Sequence, residues 1–123
     1  MIVVDALTAV AGTDSLRALL AGEELCAPTL LDFEVVSALC GMTLRGELLA
    51  SRAEDALTDF DDLEIQRWPS HGSLRRRAFQ LRASVSADDA AYVVLAEALD
   101  CSLVTRDLKL ANASRHLIAV GVR

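Results

Sequence analysis

The sequence predicts an α/β fold, a three-layer α/β/α sandwich built on a central parallel sheet of four or five strands. Short apolar runs of strand character recur along the chain: "MIVV", "ELCAP", "LEIQRW", "CSLVT" and "HLIAVGV". Segments of helical periodicity separate them, and the 123 residues suit one domain spanning 1–123. Strands of this kind need cover on both faces, and helical crossovers joining parallel neighbours supply it.

"MIVV" is β-branched and apolar, a buried strand. "TDSLRALLAG" has helical spacing and a glycine stop, and "ELCAP" is a strand closed by Pro28. "TLLDFEVVSALCGMTLRG" opens on the N-cap candidate Thr29 and reads as helix until the glycines at 41 and 46. "ELLASRAEDALTDFDD" is an amphipathic helix, and "LEIQRW" a strand ended by Pro69. "GSLRRRAFQLRASV" and, behind Ser86, "ADDAAYVVLAEALD" are helices. "CSLVT", "RDLKLANAS" and "HLIAVGV" give strand, short helix and last strand.

Apolar residues make up 53% of the chain and aromatics 4%, so the core is aliphatic and rich in alanine. No apolar run approaches the roughly 18 residues of a membrane span, and a basic leader is missing before "MIVVD". A soluble, cytoplasmic protein with no membrane partner is expected. Cys26, Cys40 and Cys101 form neither a CxxC spacing nor a disulfide framework and read as small hydrophobes in a reducing compartment. The net charge of −6 argues against non-specific nucleic-acid binding. Within it, however, "RWPSHGSLRRRAFQLR" concentrates Arg67, Arg75, Arg76, Arg77 and Arg82, either a solvated helix face or a local grip for phosphate.

In an open parallel sheet, ligands gather outside the carboxyl ends of the strands. Asp5 ends "MIVV" and Asp107 follows "CSLVT", so two strands deliver an acid to one edge. Asp89 falls in the first turn of the helix behind Ser86. Glu34 sits in a helix whose near neighbours are Leu30, Leu31, Ser37 and Ala38, a poor setting for a lone glutamate. Each acid also has a local explanation. Asp89 completes an S-x-x-D capping pattern, Asp107 suits a helix N-terminus, Asp5 a turn and Glu34 an exposed flank. Convergence of several carboxylates without a cation would cause repulsion and protonation, whereas Mg²⁺ or Mn²⁺ would accept them as oxygen ligands and suit phosphodiester hydrolysis. Zinc is disfavoured because His71 and His116 stand apart and the cysteines are scattered. No phosphate-binding glycine loop or serine-nucleophile motif occurs.

"IVVD", "LLDFEVVSAL", "DAAYVVLAEAL" and "LVTRDLKLA" together resemble the PIN-domain ribonuclease toxins of the VapC type, in order and over nearly the whole chain. The resemblance implies the sandwich already deduced and an acidic set of Asp5, Glu34, Asp89 and Asp107 that serves both catalysis and metal binding. Helical-wheel position alone does not choose between Asp88 and Asp89. The family's acid directly precedes the "AAYVVLA" run, which makes it Asp89 and leaves Asp88 a supporting residue. Thr105 would hydrogen-bond an acid or a water. The implied activity is Mg²⁺- or Mn²⁺-dependent endoribonuclease action on structured RNA such as tRNA or rRNA, through a metal-activated water. A VapB-type antitoxin lying across the groove and a homodimer are the implied partners. Arg45, Arg75, Arg76 and Arg106 are candidate RNA contacts.

Two features depart from the family pattern: the segment after Asp5, "ALTAVAGTDS", is shorter than usual with Leu7 where a serine is common, and Lys109 stands where some members carry another acid. The first motivates an alternative, a catalytically impaired PIN-like module that binds antitoxin or RNA. A phospho-accepting receiver domain fits poorly, since it needs an acidic pair after the first strand and only Asp5 is there.

Overall fold

The structure is a computed structural model, and it describes residues 1–10 and 21–122. Its elements in chain order are β1 (Ile2–Val4), α1 (Ala6–Val10), β2 (Leu25–Pro28), α2 (Leu31–Leu44), α3 (Ala50–Asp61), β3 (Ile65–Trp68), α4 (Gly72–Gln80), α5 (Ala87–Leu99), β4 (Ser102–Thr105), α6 (Leu108–Ser114) and β5 (Val120–Val122). The five strands form one sheet in the order β3-β2-β1-β4-β5, every pairing parallel. The carboxyl ends of all the strands therefore share one edge.

Successive residues of a strand point to opposite faces. In β1, Val3 and Val4 are both buried, and in β4 Leu103, Val104 and Thr105 all are. Both faces of the sheet centre are thus covered, as the near-continuous apolar runs require. On one side α5 lies against β1, β2 and β4, with α4 packed on it. A second group, α1, α2 and α3, packs together. The bidentate ion pair of Arg77 with Glu97 (2.8 and 3.1 Å) ties α4 to α5, and Arg67 on β3 reaches Asp32 on α2 at 2.8 Å. The architecture is the α/β/α sandwich expected, with the full five strands.

Boundaries differ in instructive ways. Thr29 does not cap α2. Its N–H donates to the Trp68 carbonyl at 3.2 Å, continuing the β2–β3 ladder, and Leu30 already has helical backbone angles with no side-chain cap. The helix runs through Gly41, and Gly46, at φ +74°, is where the chain turns away. α3 starts at Ala50 and α4 stops at Gln80, each shorter than the periodicity suggests. β5 covers only the end of "HLIAVGV". The expected helix over 13–22 lies outside the described residues except for Ala21 and Gly22. The brief α1 directly after Asp5 was not foreseen. No helix among the described residues is long and apolar enough to cross a membrane.

Candidate active site

The predicted acids come from four elements that end or begin at the carboxyl edge of the sheet. Asp5 follows β1 and is 6% exposed. Burial of a carboxylate demands partners, and it has them: Oδ1 accepts from the Thr8 N–H at 2.9 Å, and Oδ2 accepts from the Thr105 hydroxyl. The first of these bonds caps α1, so Asp5 performs a turn-forming role and a site role at once. "DALT" after an apolar strand is the N-cap signal that could have revealed α1.

Thr105, fully buried at the end of β4, is the hub. While its hydroxyl donates to Asp5, its oxygen accepts from the Asp107 N–H at 3.0 Å. Asp107 in turn caps α6, Oδ1 accepting from Lys109 N–H (2.9 Å) and Leu110 N–H (3.2 Å). Its first-turn helix role and its place at the sheet edge coincide. Lys109 enters this arrangement through its backbone, its side chain being exposed.

Asp89 stands in the first turn of α5. Ser86 accepts from its N–H at 3.2 Å, the capping contact read from S-x-x-D. Its carboxyl is half-buried and shifted above its usual range. Burial is the main cause and the charge of Asp107 the next; a Ser86 hydrogen bond offsets them, and Asp5 and Asp88 add repulsion. Glu34, in the first turn of α2, is also pushed up, chiefly by burial. The Tyr92 hydrogen bond pulls it down, and Asp88, Asp89 and Asp5 push it up again. Asp88 is exposed beside them. Glu34 thus feels the charges of Asp5, Asp88 and Asp89, and Asp89 those of Asp5, Asp88 and Asp107; none of these acids forms a salt bridge among the described residues.

The sequence reading did not assign Tyr92 a role. Its ring is buried, and its hydroxyl donates to Glu34 Oε1. Burial and the adjacent glutamate raise the phenol well above its ordinary value, so it keeps its proton at neutral pH.

The donor set is all carboxylate oxygen, which suits hard divalent ions such as Mg²⁺ or Mn²⁺ and not zinc. Among the described residues, no three His, Cys, Asp or Glu side chains stand in a geometry ready to enclose an ion. Hydrogen bonds turn several oxygens toward the protein: Glu34 Oε1 to Tyr92, Asp107 Oδ1 to the backbone, both Asp5 oxygens to Thr8 and Thr105. Uncompensated repulsion acts in the same sense.

The arginines named from sequence lie on the surface. Arg45 is paired with Glu47 at 2.9 and 3.2 Å, and Arg75 donates to the carbonyl and hydroxyl of Ser70. Arg76 and Arg106 are exposed. Arg75 and Arg82 border an apolar cleft of about 500 Å³ between α4 and α5, floored by Trp68, Val94 and Leu95, which none of the four acids lines. Among the described residues, the buried Trp68 Nε1 has no hydrogen-bond partner.

The parallel five-stranded sandwich falls into a known class: the PIN domain family model matches residues 2–115, and the chain belongs to that family. More particularly, it is similar to VapC ribonucleases. It is 42% identical over 125 residues to ribonuclease VapC9 of Mycobacterium tuberculosis (strain ATCC 25618 / H37Rv), covering 99% of this chain and 98% of the relative. Among solved structures, PAE2754 of Pyrobaculum aerophilum superposes with a TM-score of 0.76 at 22% identity, covering 98% of this chain and 82% of that one. VapBC2 of Rickettsia felis, bound to a DNA fragment from their promoter, gives 0.67 at 17% identity, covering 100% and 99%. These two show the shared fold.

Proposed function

We propose that this protein is the toxin of a toxin–antitoxin pair and acts in the cytoplasm as a divalent-metal-dependent endoribonuclease on structured RNA. One observation carries the reading: Asp5, Asp88 and Asp107, from separate elements, stand near enough to Glu34 or Asp89 to disfavour their charge, and none of these acids forms a salt bridge among the described residues. Kinship to ribonucleases over almost the full chain supports it.

Asp5, Glu34, Asp89 and Asp107 would hold Mg²⁺ or Mn²⁺, which when bound acidifies water and offsets charge on the scissile phosphate. Asp5 is the fixed member, gripped by Thr8 and Thr105. Asp89 and Glu34, already biased toward protonation by burial and their neighbours, are the members whose charge an ion relieves most. Arg75, Arg76 and Arg106 supply local positive charge for the RNA backbone on a chain whose net charge is −6. Purified protein should cut tRNA or rRNA with Mn²⁺ or Mg²⁺ and stop when EDTA is added. Equal cleavage by Asp5→Asn, prepared free of contaminating nuclease, would defeat the assignment.

A second reading, a PIN-like module that binds without cutting, draws on Leu7, 47% exposed just beyond Asp5. Titration of Mn²⁺ separates the two: saturable uptake favours the nuclease, and none at millimolar metal favours the module.

The antitoxin surface in this reading is the outer face of α2. That helix buries Leu31, Val35 and Leu39 inward, yet Phe33 (79% exposed), Val36, Cys40 and Leu44 (87% exposed) face out. An exposed apolar stripe of this kind usually marks a surface that a partner covers. The stripe begins beside Glu34, so a segment laid along it reaches the acids. Leu44→Asp is expected to weaken antitoxin inhibition by about 10-fold or more while leaving RNA cleavage unchanged, as a cleavage assay titrated with antitoxin would measure. The homodimer belongs to the same proposal; a monomer in sedimentation equilibrium at micromolar concentration would remove it.

A further inference from the structure

We propose that Tyr92 is a positioning residue for Glu34: a neutral phenol that fixes one glutamate oxygen while leaving the carboxylate's charge available to a cation. The proposal rests on the metal-dependent reading above. Tyr92 sits one helical turn beyond Asp88 and Asp89 on α5, on the side that faces α2. Its ring is 2% exposed and locked in the core, which leaves the hydroxyl little freedom. That hydroxyl donates to Glu34 Oε1 in the first turn of α2, so the bond joins the acid-bearing turn of α2 to the second turn of α5.

The type of donor matters. An arginine or lysine in this place would pair with Glu34 and cancel the charge an ion needs. An apolar ring would leave a half-buried carboxylate free to swing to solvent. A phenol has a single proton to give, so it occupies Oε1 and leaves Oε2 uncommitted to it. Thr105 does the same for Asp5, again with a neutral hydroxyl. Groups of this kind, one step removed from an ion, orient its ligands, and their loss commonly weakens metal binding by about 10- to 100-fold.

Tyr92 is the chain's single tyrosine, which permits a direct test. Mn²⁺ binding should be followed by electron paramagnetic resonance in wild type, Tyr92→Phe, Glu34→Gln and the double variant. Tyr92→Phe is expected to raise the Kd for Mn²⁺ about 10-fold, to restore kcat at high Mn²⁺, and to add nothing in the Glu34→Gln background. In parallel, ¹⁹F NMR of 3-fluorotyrosine-labelled protein should show the Tyr92 resonance moving on addition of Mg²⁺ in wild type but not in Glu34→Gln. Wild-type Mn²⁺ affinity in Tyr92→Phe, additive losses in the double variant, or a resonance indifferent to Mg²⁺ would each overturn the proposal. The labelled wild type gives its answer even if Tyr92→Phe does not fold. Wild type that takes up no Mn²⁺ at all would remove the metal-dependent reading itself and this proposal with it, a result distinct from a defect confined to Tyr92→Phe.

Discussion

Asp89→Asn is expected to abolish RNA cleavage and growth arrest, with a loss of about 100- to 1,000-fold in kcat/KM, while raising Tm in EDTA at pH 7. The two effects have one origin. The Asp89 carboxyl is raised in the folded protein by burial and by Asp107, with Asp5 and Asp88 adding, so the native state holds this proton more tightly than the unfolded chain does. Below the ordinary carboxylate range both states are protonated and there is no cost. As the pH rises from the unfolded value through the raised native value, the folded state must surrender the proton and stability falls; above it the cost is complete. Asparagine is neutral throughout, so the variant should lose this part of the pH slope. Its backbone N–H can still donate to Ser86, so the α5 cap survives. Differential scanning fluorimetry across pH 4–8 in EDTA measures the slope, and the same scans with Mg²⁺ should stabilise wild type but not the variant. A variant no more stable than wild type in EDTA would contradict the electrostatic account, and one that still cleaves would contradict the role of Asp89.

Thr105→Val is expected to lower stability by about 2–4 kcal/mol and cleavage by about 100-fold, without removing any acid. The exchange is nearly isosteric, so no cavity explains the loss. What disappears is the oxygen that serves both Asp5 and the Asp107 backbone N–H. Asp5 loses a donor while 6% exposed, and the Asp107 N–H loses its acceptor. Thr105→Ser keeps the hydroxyl and should recover most of the activity. Chemical denaturation together with a cleavage assay reads both quantities. A valine variant with wild-type cleavage would show that Thr105 only fills space.

The architecture was legible because β-branched apolar runs and helical periodicity are local signals, and parallel pairing follows from their alternation. Boundaries were harder where tertiary contacts overrode local ones. Thr29 looks like an N-cap from its neighbours, but the sheet claims its N–H through Trp68, a residue far along the chain. Gly41 looks like a stop, yet α2 runs on to Leu44 and turns at Gly46 instead. The acids were visible one at a time, each with a local explanation. For Asp5, Asp89 and Asp107 the capping contact and the placement at the sheet edge both hold, which sequence alone could not establish. Tyr92 went unassigned because its partner, Glu34, lies in a separate helix, and only the tertiary fold brings the two side chains together.

The central pairing of β1 with β4 sets Ile2 against Ser102, and Asp5 meets Thr105 only after that pairing exists. A ribosome must therefore release the chain through β4 before the edge can assemble. Nascent or prematurely terminated products that stop short of β4 carry the first acid but lack the strand that holds it, so the edge, and any nuclease action that depends on it, waits for β4.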